Sequence, residues 1–154
     1  MVHALEEIRR LVKHGGTLID IHPSPQAWLA EVHQGGRVLF AQPWRDHDYI
    51  DEDVRQAEDA LTQAVEYRIF LIERRSEFDF LTYASSPAEL RDYMAKEGAY
   101  DEDPEDEAER AAKVELYARV ERIWKSAGEG AQVVRRERAR MARLRPLWEV
   151  DDGS

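Results

Sequence analysis

The sequence predicts an α/β chain, α+β in its local arrangement, in which helices cover the faces of a mixed β-sheet. Three observations predict it: an N-terminal helix that runs into a short strand, β-prone segments at 67–83 and 132–144, and a long helix at 103–127 between them. With 154 residues and 43% hydrophobic content, one domain over 1–148 is expected, followed by a disordered tail at 149–154.

The N-terminal segment predicts a helix followed directly by a strand. Apolar residues recur at helical spacing from Leu5 to Val12, and charged residues fill the other positions. Gly15 stands where a left-handed residue ends a helix, and residues 17–21 are apolar on both faces, as in a strand inside an α/β sheet. A helix leading into a strand is one half of a right-handed crossover, so we expect a strand before it that this chain lacks.

This segment resembles the A-L-x-E-I-x-R-x-L-K-P-G-G-x-L stretch of class I S-adenosylmethionine-dependent methyltransferases, where it forms the helix that enters the fifth strand of a seven-stranded Rossmann-like sheet. Val12 replaces the leucine of the pattern and His14 the proline. The resemblance implies that this chain supplies the last three strands, with an inserted β-hairpin and a helical insertion, and that its last strand inserts antiparallel between the strands at 17–21 and 67–83. The positions that fit the pattern are Ala4, Leu5, Glu7, Ile8, Arg10, Lys13, Gly15, Gly16 and Leu18.

The same resemblance implies S-adenosylmethionine as the cofactor of the complete family enzyme. In that family the cofactor lies at a glycine-rich turn after the first strand. No G-x-G-x-G follows a predicted strand here, and the pairs Gly15-Gly16 and Gly35-Gly36 precede strands. We therefore expect no cofactor-binding residue and no cofactor for this chain alone: it would be the acceptor-side and oligomerisation part of a methyltransferase, inactive in isolation.

Two groups of residues are candidates for the acceptor site. Asp20 and His22 follow one another on the first strand, and either can accept a proton from a methyl acceptor. The structural alternative makes Asp20 a polar strand residue and His22 a turn residue before a proline. The loop at 43–49 carries aromatic and polar residues that either face the substrate or pack on the rim of the sheet. These substrate-facing candidates are Trp44, His47 and Tyr49.

Other segments predict the remaining elements. Two strands at 28–33 and 37–41 form a hairpin around Gly35-Gly36. Asp48 or Asp51 caps a helix that ends near Glu66, and Ser86 caps another that ends near Lys96. The last strand carries an arginine row that either binds phosphate or pairs with acids across the sheet. These arginines are Arg136, Arg138 and Arg140, and the acids are Glu73, Glu77 and Asp79.

Charge and composition limit the partners. A net charge of −10 repels nucleic acid and anionic lipid, and no apolar run approaches the ~20 residues that cross a bilayer. The chain has no cysteine, and its five histidines lack metal-ligand spacing, so no metal site is expected. We expect a cytoplasmic protein. The open edge of the first strand needs a cover, and we expect a second copy in a homodimer to provide it; the alternatives are the chain's own hairpin or a separate N-terminal half.

The alternative hypothesis is a noncatalytic small-ligand or protein-interaction module of α+β fold. Its support is a set of large aromatic residues that can line a cavity, although the same residues can simply form the core. The set comprises Trp28, Trp44, Phe70, Phe78, Phe80 and Trp124.

Overall fold

The structure is a computed structural model, and it describes residues 2–45, 50–97 and 107–148. Over these ranges the chain is α+β, with four helices and a five-stranded antiparallel sheet, which confirms the predicted class. The pairing is antiparallel throughout, whereas a mixed sheet was predicted. The elements are α1 Val2–Leu11, β1 Leu18–Pro23, β2 Leu29–Gln34, β3 Arg37–Pro43, α2 Glu52–Glu66, β4 Phe70–Ala84, α3 Pro87–Glu97, α4 Glu107–Ala127 and β5 Gln132–Pro146.

The chain divides into two compact units, and the long strands β4 and β5 each contribute to both. Unit 1 consists of Met1–Pro25, Ile50–Phe78 and Arg138–Ser154. Unit 2 consists of Gln26–Tyr49 and Asp79–Glu137. The predicted tail at 149–154 lies outside the described residues.

Unit 1 is a small sheet covered by α1 and α2 on one face. In it β5 pairs antiparallel with β1, from Leu18 opposite Leu144 to Pro23 opposite Ala139, and β5 also pairs with β4. This is the position predicted for the last strand. Among the described residues β1 pairs with β5 alone, so its other edge is open. The buried core of unit 1 is Leu61, Ala64, Ile69, Phe70, Ala142 and Leu144.

The strand β1 is covered on one face only. Leu18 packs against the core of unit 1, as do Leu5 and Ile8 of α1. Ile19 and Ile21, which point to the other face, are 50% and 58% exposed. Although both faces of β1 are apolar, only one of them is buried within the described part of the chain.

Unit 2 combines a hairpin with α3, α4 and the first part of β5. Gly35 and Gly36 form the two-residue turn between β2 and β3 with φ of 57° and 77°, which matches the turn that favours glycine at both positions. An irregularity between Val32 and His33 pairs Val38 with His33, and Val38 is 49% exposed. The buried core is Ala30, Val32, Ala84, Leu90, Leu116, Val120 and Val133.

The helix N-termini carry the predicted caps where these are described. The side chain of Asp51 accepts a hydrogen bond from the Val54 amide at 3.1 Å. At α3, Ser86 Oγ accepts from the Glu89 amide, and the Glu89 carboxylate accepts from the hydroxyl and the amide of Ser85 at 2.6 Å each. The Ser85 hydroxyl, followed by its amide, lowers the pKa of Glu89 below 4.5. The alternative cap Asp48 and the start of the 103–127 helix lie outside the described residues.

The C-terminus of α2 contains a left-handed backbone conformation that the sequence does not predict. The Ile69 amide donates to Ala64 O at 2.8 Å and the Arg68 amide to Val65 O at 3.0 Å, which is the Schellman pattern. This pattern places Arg68 in the left-handed region, with φ of 57°. Glycine usually occupies that position, because a Cβ is strained there.

We therefore predict that Arg68→Gly stabilises the protein by about 0.5–1 kcal/mol, since glycine adopts the left-handed conformation without strain. Equilibrium urea unfolding, followed by circular dichroism, measures the change. The matched control is Gln63→Gly, at an exposed position inside the same helix, which we expect to destabilise by about 0.5–1 kcal/mol. A lower unfolding midpoint for Arg68→Gly than for the wild type would contradict the assignment.

Candidate functional site

The two candidate residues of β1 contact each other. Asp20 and His22 are two positions apart on the strand, so their side chains share a face, and His22 Nδ1 lies 2.7 Å from Asp20 Oδ2. An ionised carboxylate can only accept a hydrogen bond, so it holds the histidine proton on Nδ1. The other ring nitrogen, Nε2, faces a different carboxylate.

Helix α2 brings a second carboxylate close to that nitrogen. Glu58 Oε1 lies 3.5 Å from His22 Nε2, and Nε2 is buried without a hydrogen-bond partner among the described residues. Glu58 instead accepts a hydrogen bond from Arg140 of β5, whose Nε also donates to Glu77 Oε1 at 3.1 Å. The Glu58 hydrogen bond, followed by the Glu77 contact, raises the pKa of Arg140 above its ordinary value.

These residues line a cleft of about 420 Å³ within unit 1. Leu61 and Ala142 contribute apolar surface to it. Its volume falls within the range of small-molecule sites, about 300–1,000 Å³. The polar lining includes His22, Glu58, Thr62, Arg75, Glu77 and Arg140.

The cleft offers charged and hydrogen-bonding side chains to a ligand. A histidine oriented by a carboxylate through Nδ1 can accept or donate a proton at Nε2. The described residues contain no group of three or more histidine, aspartate or glutamate side chains arranged to hold a metal ion. The structure thus brings Asp20 and His22 together and adds Arg140 of the predicted arginine row and Glu58, which sequence reasoning missed.

Unit 2 contains a related cluster that sequence reasoning also missed. Glu31 is only 3% exposed and receives two hydrogen bonds from Arg136, at 2.8 Å and 3.3 Å. His33 Nε2 lies 2.6 Å from the same carboxylate, and Arg136 also donates to Asp79 at 2.8 Å. The Glu31 hydrogen bond raises the pKa of Arg136. A signal was present in the sequence: acid-x-histidine occurs at Asp20 to His22 and again at Glu31 to His33.

The third site candidate, Trp44, packs inside unit 2. Its ring stacks on Trp28 with centroids 4.8 Å apart, and Tyr117 meets it edge-on at 5.8 Å. Lys113 Nζ lies 5.0 Å from the same ring. This arrangement matches the packing interpretation of Trp44. His47 and Tyr49 lie outside the described residues.

The aromatic set of the alternative hypothesis does not line one cavity. Phe70 is fully buried in the core of unit 1, whereas Trp124 packs against the core of unit 2 and donates to Ala131 O at 3.0 Å. Phe78 and Phe80 are 40% and 54% exposed. These residues serve separate packing roles.

The arginine row of β5 pairs with acids, as the structural interpretation predicted. Arg138 lies 3.5 Å from Glu77, and Arg143 and Arg145 both contact Glu73, at 3.0 Å and 3.1 Å. Together with the Arg136 and Arg140 contacts, these ion pairs use all three predicted acids. No helix in the described ranges is long and apolar enough to span a bilayer.

The buried cluster of unit 2 gives a stability prediction. Arg136→Gln leaves the Glu31 carboxylate buried without its cation, and we expect a loss of about 2–3 kcal/mol. The matched control is Arg138→Gln on the same strand: its side chain is 59% exposed, so the change should stay within about 0.5 kcal/mol. Urea unfolding of both variants measures the difference, and equal losses would show that Glu31 does not depend on Arg136.

Comparison with known proteins finds no relative of this chain. No protein-family model matches the chain, and neither a curated protein nor a solved structure does.

Proposed function

We propose that this chain is the C-terminal, acceptor-side part of a class I S-adenosylmethionine-dependent methyltransferase and is inactive by itself. The observation that carries the proposal is the strand arrangement of unit 1, where β5 pairs antiparallel with β1 on one side and with β4 on the other. The resemblance at residues 4–18 implies this order for the family's last three strands.

The junction between α1 and β1 also supports the proposal. Gly15 adopts φ of 77°, which favours glycine. A Cβ on Gly16 would lie 2.6 Å from Val12 Cγ1 and 2.8 Å from Lys13 O, so the chain needs a glycine there too. Both glycines of the matched G-G pattern therefore have a physical role in turning the helix into the strand.

The residues of this chain do not fit S-adenosylmethionine. A cofactor of this kind needs a glycine-rich turn that follows a strand and opens a helix. Among the described glycines, Gly35 and Gly36 connect two strands, and Gly128 and Gly130 lead from α4 into β5. The proposal therefore assigns to this chain the acceptor side, with Asp20 and His22 near the carboxyl end of β1, and assigns cofactor binding to another polypeptide segment.

The open edge of β1 is where we propose that the partner binds. An apolar strand with unpaired backbone groups is a template for pairing with another strand. In the complete enzyme the cofactor-binding half would pair there, and in the isolated chain a second copy would do so in a homodimer.

The test joins the chain to the product of the reading frame immediately upstream. We expect that frame to encode a strand, a G-x-G-x-G turn and a helix. Calorimetry should detect S-adenosylmethionine binding to the joined polypeptide and none to the isolated chain. Hydrogen exchange should show the outer amides of β1 protected in the joined polypeptide. An upstream frame without this pattern, or a joined polypeptide that binds no cofactor, would refute the proposal.

A noncatalytic small-ligand module is the second candidate function, and the cleft at His22 favours it. The calorimetric test separates the two, because a module of this kind binds its ligand without any cofactor-binding half.

A further inference from the structure

The open edge of β1 presents backbone groups from alternate residues. The Ser24 amide, one residue beyond β1, donates to Arg138 O at 2.6 Å, and β1 pairs with β5 in this same register along its whole length. Hydrogen-bonded positions alternate in an antiparallel pair, so the even-numbered residues of β1 bond to β5. The backbone groups of Ile19 and Ile21 therefore point to the open edge, where no strand of the described ranges pairs with them.

The side chains of the same two residues are uncovered. Successive side chains of a strand alternate between its faces, so Ile19 and Ile21 lie opposite to Leu18, which packs against the core of unit 1. Their exposed fractions are 50% and 58%. Pro23 continues the row but has no amide to offer. A strand that pairs with this edge therefore gains both backbone hydrogen bonds and apolar contact.

Local charge favours a second copy of this chain as the occupant. The whole chain carries a net charge of −10, so two copies repel one another over most of their surfaces. Residues 2–23, which contain α1 and β1, have three acidic and three basic residues and hence no net charge. Two copies can therefore meet at this edge without opposing charge. The acidic residues are Glu6, Glu7 and Asp20, and the basic residues are Arg9, Arg10 and Lys13.

The register of such a pair is limited by the strand itself. Two β1 strands related by a two-fold axis are defined by the residue that lies opposite its own copy. An axis at Asp20 sets two carboxylates directly opposite each other, with Cα atoms about 4.5 Å apart. An axis at Ile21 pairs Ile19 with Pro23, so the hydrogen bond from that amide is lost at both ends.

An axis at Ile19 avoids both faults. It pairs Ile19 with its own copy and Ile21 with Thr17 on either side, which forms about six backbone hydrogen bonds. It also leaves no like charges opposite each other. An axis one residue earlier, at Leu18, pairs Ile21 with Gly15, whose φ of 77° belongs to the turn and does not continue the strand.

We infer that this chain forms a homodimer in which the two β1 strands pair antiparallel across a two-fold axis at Ile19. The small sheets of the two copies join into one, and Ile19 and Ile21 of both copies lie together on its uncovered face. The inference rests on the proposed function only for the choice of the β1 edge as the docking site. The occupant and the register follow from the charge and geometry of β1.

The experiment is cross-linking of the full chain through single cysteines, since the sequence has none of its own. In Ile19→Cys the two Cα atoms lie about 5.5 Å apart, a distance that a disulfide bridges, so mild oxidation should give a covalent dimer. In Ile21→Cys, on the same face, the two Cα atoms lie about 14 Å apart, and no dimer should form. Val38→Cys, 49% exposed on the edge strand β3, is the control for random collision.

Sedimentation measures the association without cross-linking. The wild type should form a dimer between about 1 and 100 µM. Ile19→Lys places two cations opposite each other at the axis and removes two apolar side chains, so the dimer Kd should rise about tenfold or more. Val38→Lys, at a similarly exposed position, should leave the Kd unchanged. Circular dichroism of both variants reports whether they remain folded.

Two outcomes would overturn the inference. One is a wild-type chain that sediments as a monomer at about 100 µM. The other is cross-linking of Ile21→Cys or Val38→Cys as efficient as that of Ile19→Cys, which would mean a different register or no defined interface. Neither experiment involves a cofactor or an upstream polypeptide, so this inference and the methyltransferase proposal can each fail without the other.

Discussion

The structure depends on neutralising the arginines of β5. This strand carries six arginines and a single glutamate, yet it pairs with a neighbour on each side. Cations so close together would repel one another unless acids lay opposite them. Each arginine does have a carboxylate partner: Glu58, Glu73 and Glu77 in unit 1, and Glu31, Asp79 and Glu137 in unit 2.

The same ion pairs shape the candidate site. Arg140 donates hydrogen bonds to both Glu58 and Glu77, so both carboxylates are already paired with a cation. Glu58 then lies 3.5 Å from His22 Nε2 and cannot donate to it. The ion pairs that allow β5 to lie between two strands thus also hold a carboxylate beside His22.

The features that could be predicted from the sequence are those determined by residues close together in the chain. The glycine pair at 35–36 and the cap at Asp51 depend on neighbouring residues, and the structure has both. Cross-strand charge pairing was also predictable, because Glu73, Glu77 and Asp79 share one face of a predicted strand and Arg136, Arg138 and Arg140 share one face of another. The α+β class followed from these elements.

Other features depend on distant contacts that no local pattern contains. The approach of Glu58 to His22 joins residues 36 positions apart, and the burial of Glu31 is possible only because Arg136, more than 100 residues later, lies beside it. The exposure of Val38 follows from one irregular step between two strands, which shifts the pairing register. Arg68 occupies a glycine position because the Schellman hydrogen bonds outweigh its strain.

The most direct test of this account is residue-resolved amide exchange along β5 in the native protein. A strand paired on both sides uses every amide, so residues 133–136, opposite β2, and 139–144, opposite β1, should all be protected. In β1, which has one open edge, protection should alternate. Alternating protection along β5 would mean that one of its neighbours is absent in solution, and the central position of the arginine strand would be wrong.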